Sequence, residues 1–206
     1  MKEEKIDLDI MKSVWFNPTQ TTRQFLDKNS WWTAAFIVAL SSLSQMFMTY
    51  FNSVDDPNVK SVYELGWFSF LIGPLLTPLA FWISSFTIWL ISRLFRGKAT
   101  IRQTYLAMAV PALLSIPLLP VLAGWFVASP DSFVDPYHYG GIGLFATLVA
   151  MILLIVNIWS FFTSIAAIAE ANKIGKWQAF FVLIIPISLL IVVILVILSL
   201  FFVAVI

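Results

Sequence analysis

Five long apolar runs, separated by short polar and charged segments, set the pattern of this chain. They cover about residues 31–51, 66–92, 103–128, 141–169 and 178–206, and none contains Asp, Glu, Lys, Arg or His. A bilayer core takes about 20 apolar residues of helix to cross, so each run is long enough for one span. In lipid, backbone N–H and C=O groups must be satisfied within the segment or within a closed barrel. Unalternated runs of this length lack the roughly ten-residue dyad pattern of barrel strands. The expected fold is therefore all-α: a bundle of five transmembrane helices over residues 31–206, preceded by an N-terminal segment, residues 1–30.

That segment carries its own helix signal. Asn17-Pro18-Thr19-Gln20 places a cap residue before a proline at the first helical position, with Gln20 where a capping side chain can reach back. A short helix through about Lys28 should follow. Trp15, Phe16, Phe25 and Leu26 are apolar, whereas Thr21, Arg23, Gln24, Asp27 and Lys28 are polar. An amphipathic helix lying in the headgroup plane is the first reading, and docking to a cytosolic partner the second.

Charge adds orientation. Lys2, Lys5, Lys12, Arg23 and Lys28 precede the first run, Arg93, Arg96, Lys98 and Arg102 separate the second from the third, and Lys173 and Lys176 separate the fourth from the fifth. The two alternate loops hold only Lys60 among basic residues, together with Asp55, Asp56, Glu64, Asp131 and Asp135. Basic loops stay inside, so the N-terminus is expected in the cytoplasm and the C-terminus outside. Trp31, Trp32, Trp89 and Trp177 fall near the inner ends of the runs, and Tyr50, Trp67, Trp125, Tyr137 and Tyr139 near the outer ends, where an aromatic belt belongs. The first 30 residues offer no apolar core of a signal peptide, which leaves the first span as the targeting signal.

Composition supports the membrane class, with 60% hydrophobic and 11% charged residues against roughly 25% charged in a soluble domain. No cysteine is present, so disulfides, thiolate metal sites and thiol nucleophiles are excluded. Prolines punctuate the spans: Pro74 and Pro78 in the second, Pro111, Pro117 and Pro120 in the third, Pro186 in the fifth. Each removes a backbone donor, so spans two and three should be kinked or locally broken. Kinked packing is the simpler meaning; a substrate pathway lined by freed backbone groups is the alternative.

Chemistry is otherwise sparse. Gln45 and Asn157 lie within spans as candidate interhelical hydrogen-bond partners, and Ala35/Ala39 and Ser160/Ser164 have small-xxx-small spacing. His138, the sole histidine, follows Asp131 and Asp135 but lacks a second nitrogen or sulfur ligand, which makes a solvated interfacial residue the reading ahead of a metal site. No hydrolase elbow, phosphate loop or HExxH motif occurs. Neither an enzymatic activity, a cofactor nor a nucleic-acid partner is expected. Arg93, Arg96, Lys98 and Arg102 form the first candidate surface for a partner or for anionic lipid, with Trp15 and Arg23 in the second.

Three segments carry a family resemblance: 15–23 followed by Trp31-Trp32; Gly97-Lys98-Ala99-Thr100-Ile101-Arg102-Gln103-Thr104-Tyr105-Leu106-Ala107 with Val110-Pro111; and 159–170 with Gly175-Lys176-Trp177-Gln178-Ala179. Together they resemble the Yip (Ypt-interacting protein) domain family of five-span membrane proteins, in its bacterial type. The resemblance implies a non-enzymatic role. Eukaryotic relatives bind Rab-type GTPases in vesicle traffic, and bacterial relatives reside in the plasma membrane, some beside ABC-type exporters. The expected function is an accessory or scaffold protein of the cell membrane, whose partners are membrane lipids and another membrane complex, such as an exporter, or a second copy of itself. A small oligomeric transporter or channel, and a membrane-shaping or trafficking factor, are the alternatives.

Overall fold

A computed structural model describes residues 8–51, 62–135 and 143–205. All regular structure among them is helical: α1 Leu8–Phe16, α2 Pro18–Lys28, α3 Trp31–Tyr50, α4 Val62–Leu94, α5 Ile101–Ala109, α6 Leu119–Ala128, α7 Pro130–Val134, α8 Gly143–Asn172 and α9 Lys176–Val205. Two 3₁₀ turns, Pro111–Leu114 and Ile116–Leu118, join α5 to α6. Five segments are long and apolar enough to cross a membrane: Trp31–Met48, Phe70–Leu94, Ile101–Ala128, Gly143–Asn172 and Lys176–Ser199. They match the five runs read from the sequence.

The prolines act differently in the two spans. In α4, Pro74 and Pro78 lie inside one uninterrupted helix, and the Thr77 hydroxyl donates to the Gly73 carbonyl at 2.7 Å. Pro186 is likewise accommodated within α9. In the third span the helix does break. Pro111 has no N–H for the Ala107 carbonyl, which accepts instead from Val110 N–H at 3.2 Å, and the chain tightens into 3₁₀ geometry until α6 resumes past Pro117, with Pro120 in its first turn. The Ser115 carbonyl within the break accepts the Leu118 N–H at 3.1 Å and also the Ser44 hydroxyl of α3 at 3.0 Å, which ties the broken span to its neighbour.

One apolar core joins the N-terminal helices to the spans: Val14, Phe25, Ile37, Tyr105, Leu106, Val110, Leu113 and Leu114 are all buried in it. The N-terminal segment is therefore packed on the bundle: α1 rests against the Pro111–Leu114 turn and α2 against α8 and α5. Thr21, Thr22 and Phe25 are its buried face. At the far end, Phe47, Phe51, Phe70, Trp125, Phe126 and Phe133 form a second, aromatic core, with Trp125 Nε1 donating to Ser132 Oγ at 3.0 Å. Trp125 is thus a buried packing residue and not part of a headgroup-facing belt. Trp32 and Trp177, 84% and 77% exposed, are positioned as belt residues are.

Candidate functional site

The basic end of the bundle is built from two matched helix stops. At the end of α4, Gly97 N–H donates to the Ser92 carbonyl at 2.9 Å and Arg96 N–H to the Arg93 carbonyl at 3.0 Å. At the end of α8, Ile174 N–H donates to the Ala169 carbonyl at 3.1 Å and Lys173 N–H to the Glu170 carbonyl at 3.4 Å. Both are Schellman motifs, and their left-handed positions are held by Arg96 (φ 61°) and Lys173 (φ 55°) where glycine is usual. Each basic residue gives up about 1 kcal/mol of backbone preference while placing positive charge at a helix C-terminus.

The two stops interlock. Lys98 N–H donates to the Asn172 carbonyl at 3.0 Å, and Asn172, fully buried, holds its side-chain amide on the Ile168 carbonyl at 3.2 Å. Arg93 forks onto the carbonyls of Gly97 (3.1 Å) and Ala99 (3.0 Å), Trp89 Nε1 reaches the same Ala99 carbonyl at 3.1 Å, and the guanidinium stacks 5.0 Å from the Trp89 ring centre. α5 then starts with a reciprocal cap. Gln103 N–H donates to Thr100 Oγ1 at 3.2 Å and Thr100 N–H to Gln103 Oε1 at 2.8 Å.

The N-terminal segment closes on the same end. Arg23 Nε donates to Glu170 Oε1 at 2.9 Å, and Lys173 Nζ to the same oxygen at 2.6 Å. The Glu170 hydrogen bond is the main reason the Arg23 pKa rises above its ordinary value. Trp31 packs on Tyr105 with ring centres 4.5 Å apart, and Arg102 Nη2 approaches the Asn29 carbonyl at 3.4 Å. The expected side-chain cap is absent at α2: Asn17 takes the cap position and Pro18 the first helical one, but neither Asn17 nor Gln20 closes a capping bond.

The sequence-predicted contact residues thus separate by role. Arg93 braces its own loop, Arg23 is tied to Glu170, Arg102 leans on Asn29, and Trp15 is half-buried against the main core. Arg96 and Lys98 are exposed and their side chains make no ion pair or hydrogen bond among the described residues. Asn172 and Glu170 organise this end and were missed as such. A polar pair just before Lys173-Ile174-Gly175, the stop of an apolar helix, is the signal that could have marked them.

A second feature lies among the spans and is half open at the surface of the bundle. A half-open cleft of about 230 Å³ beside the broken third span is lined mostly by apolar side chains, among which Ser41, Gln45, Ser115, Asn157, Ser160 and Ser164 are the polar ones. The Asn157 amide donates to the Leu153 carbonyl of its own helix at 2.8 Å, so it does not bridge helices as expected, yet it and Gln45 edge the same space. Among the described residues no group of three His, Asp or Glu gathers as a metal site requires. His138, with Tyr137 and Tyr139, lies outside the described residues.

An all-helical bundle with five membrane-length helices, closed at one end by interlocked helix stops, defines a multi-pass membrane protein. The Yip1 domain family model matches residues 12–198, and the chain belongs to that family. The three segments that carried the resemblance are the ones this end brings together. No curated protein and no solved structure matched the chain.

Proposed function

We propose that this protein is a non-enzymatic scaffold of the bacterial plasma membrane, oriented with its basic end in the cytoplasm, that docks laterally onto another membrane complex. The observation that carries the reading is the outer part of α9. From Ile187 to Ser199 every side chain described is exposed, around the whole circumference of the helix. Helices in lipid associate through close packing, and this stretch gains almost none from its own chain. The resemblance suggests an ABC-type exporter as the partner class, and Arg96 and Lys98 are free cations of the α4–α5 loop that can meet its cytoplasmic face. Mild-detergent affinity purification from native membranes should return a second membrane protein at near-stoichiometric yield, and Arg96→Glu with Lys98→Glu should lower that yield. Recovery of this chain alone would refute the reading.

A second reading, a small oligomeric transporter, is favoured by the polar side chains gathered in the cleft beside the Pro111–Leu118 break, since discontinuous helices line substrate sites in transporters. Reconstituted vesicles that pass no ion or small polar solute would count against it.

A further inference from the structure

A cleft of about 610 Å³ opens between the start of α2 and the outer face of α8. Its walls come from the α1–α2 turn, from Arg23, from Trp159, Phe162 and Thr163 of α8, and from Lys176 at the head of α9. Three independent features of this wall call for the same kind of occupant.

The first is the bare N-terminus of α2, an eleven-residue helix whose cap residue makes no side-chain hydrogen bond. Pro18 has no N–H and Thr21 N–H is taken by the Asn17 carbonyl at 2.9 Å, so the Thr19 and Gln20 N–H groups are left to an outside acceptor, and the helix dipole favours an anion there. The second is Thr163. It is 0% exposed, and its hydroxyl has no hydrogen-bond partner. Helical hydroxyls in this chain commonly turn back on the carbonyl four residues earlier, as Ser164 does to Ser160 at 2.8 Å and Thr77 to Gly73. Thr163 does not, and a buried donor left unmade is costly. The third is charge: Arg23 and Lys176 contribute two cations to the lining, which contains no carboxylate. Glu170 outside the lining engages Arg23 through one oxygen, leaving Lys176 unpaired among the described residues.

We propose that this cleft is a binding site for one glycerophospholipid. Its phosphate lies toward Arg23 and Lys176, and its ester carbonyls accept from Thr163 and from the Thr19 and Gln20 N–H groups of α2. The apolar part of the wall fits the rest of the molecule. Trp159 and Phe162 are exposed on the same face of α8, so acyl chains can follow that helix into the bilayer. A free phosphate would match the cations but would leave these aromatic side chains and the buried hydroxyl unused.

The test uses the full chain purified in mild detergent, with phosphatidylglycerol as the probe. Native mass spectrometry counts retained lipid, and thermal unfolding reports stabilisation as lipid is added. Wild type is expected to hold one phospholipid and to be stabilised by phosphatidylglycerol. Thr163→Val and Lys176→Gln should each weaken that binding by about tenfold, the effect of losing a hydrogen bond to a charged or buried group. Thr163→Ser should retain it. Lipid-free Thr163→Val should be no less stable than wild type, because a methyl replaces an unpartnered hydroxyl, which separates a binding role from a packing role. Lys176→Gln, at an exposed position, folds whatever the outcome at Thr163. Unchanged lipid binding in both variants would overturn the proposal. So would inorganic phosphate that stabilises the protein equally and displaces the lipid, since the site would then take a soluble anion.

Discussion

The side-chain oxygen of Asn172 lies 2.6 Å from the point that a Cβ on Gly97 would occupy, while the main-chain carbonyl of Asn172 accepts the N–H of Lys98 at 3.0 Å. The same point is 2.9 Å from both the carbonyl oxygen and the hydroxyl of Ser92, so backbone as well as side chain blocks it. Glycine is therefore needed at position 97 for close approach of the two helix stops. Gly97→Ala should cost about 1–3 kcal/mol in unfolding experiments in mixed micelles. Asn172→Ala should recover part of that cost in the double variant and leave the rest, because Ser92 still stands in the way.

Arg96 and Lys173 should respond in the opposite direction. Both hold left-handed backbone that glycine adopts without penalty. Arg96→Gly is expected to raise stability by about 1 kcal/mol, less the few tenths lost with the charge at the helix end, and Lys173→Gly by a few tenths less again, because it also removes the exposed ion pair with Glu170. Denaturation midpoints of the two variants, compared with the alanine substitutions, check this. Alanine should give no such gain.

Arg93 is a different kind of arginine from its neighbour. Its two nitrogens reach the Gly97 and Ala99 carbonyls as a planar fork, which a lysine cannot reproduce. Arg93→Lys should destabilise by about 1 kcal/mol, whereas Arg96→Lys should change stability by less than about 0.5 kcal/mol. Reversing the charge of Arg93 would disturb the loop itself, so a partner-contact test belongs on Arg96 and Lys98.

Ser44 holds the broken third span to α3. Ser44→Ala leaves the Ser115 carbonyl its Leu118 N–H but removes the bond between the two spans, and a loss of about 1 kcal/mol is expected, the scale of interhelical hydrogen bonds in membranes. Faster hydrogen exchange confined to Ala112–Leu118 would accompany it.

The spans and the α2 helix were legible because lipid imposes a single strong rule on length and polarity, and because Asn17-Pro18 marks a helix start. The fate of each proline was not. Pro74 and Pro78 in α4 and Pro111 in the third span look alike in sequence; what differs is that the 3₁₀ geometry after α5 satisfies the Ala107 carbonyl freed at Pro111 and Ser44 ties the break to α3, a tertiary fact. Trp125 reads as an interfacial aromatic until Phe133 and Ser132 fold over it. The basic loop was visible as charge, but the division of labour between Arg93 and Arg96 depends on the left-handed turn at 96. Asn172 was silent because one asparagine at a helix end has no pattern, and its meaning appears only opposite Gly97.

The proposed lateral docking is most directly tested through α9. The chain contains no cysteine, so single cysteines placed from Val192 to Leu198 report without background. Disulfide or maleimide cross-linking in native membranes, against membrane proteins of the same cell, should give adducts with one partner, peaking every three to four residues along one face of the helix. Uniform absence of adducts at all positions, with each cysteine reactive toward a lipid-soluble probe, would show that α9 faces lipid throughout and would contradict the scaffold account.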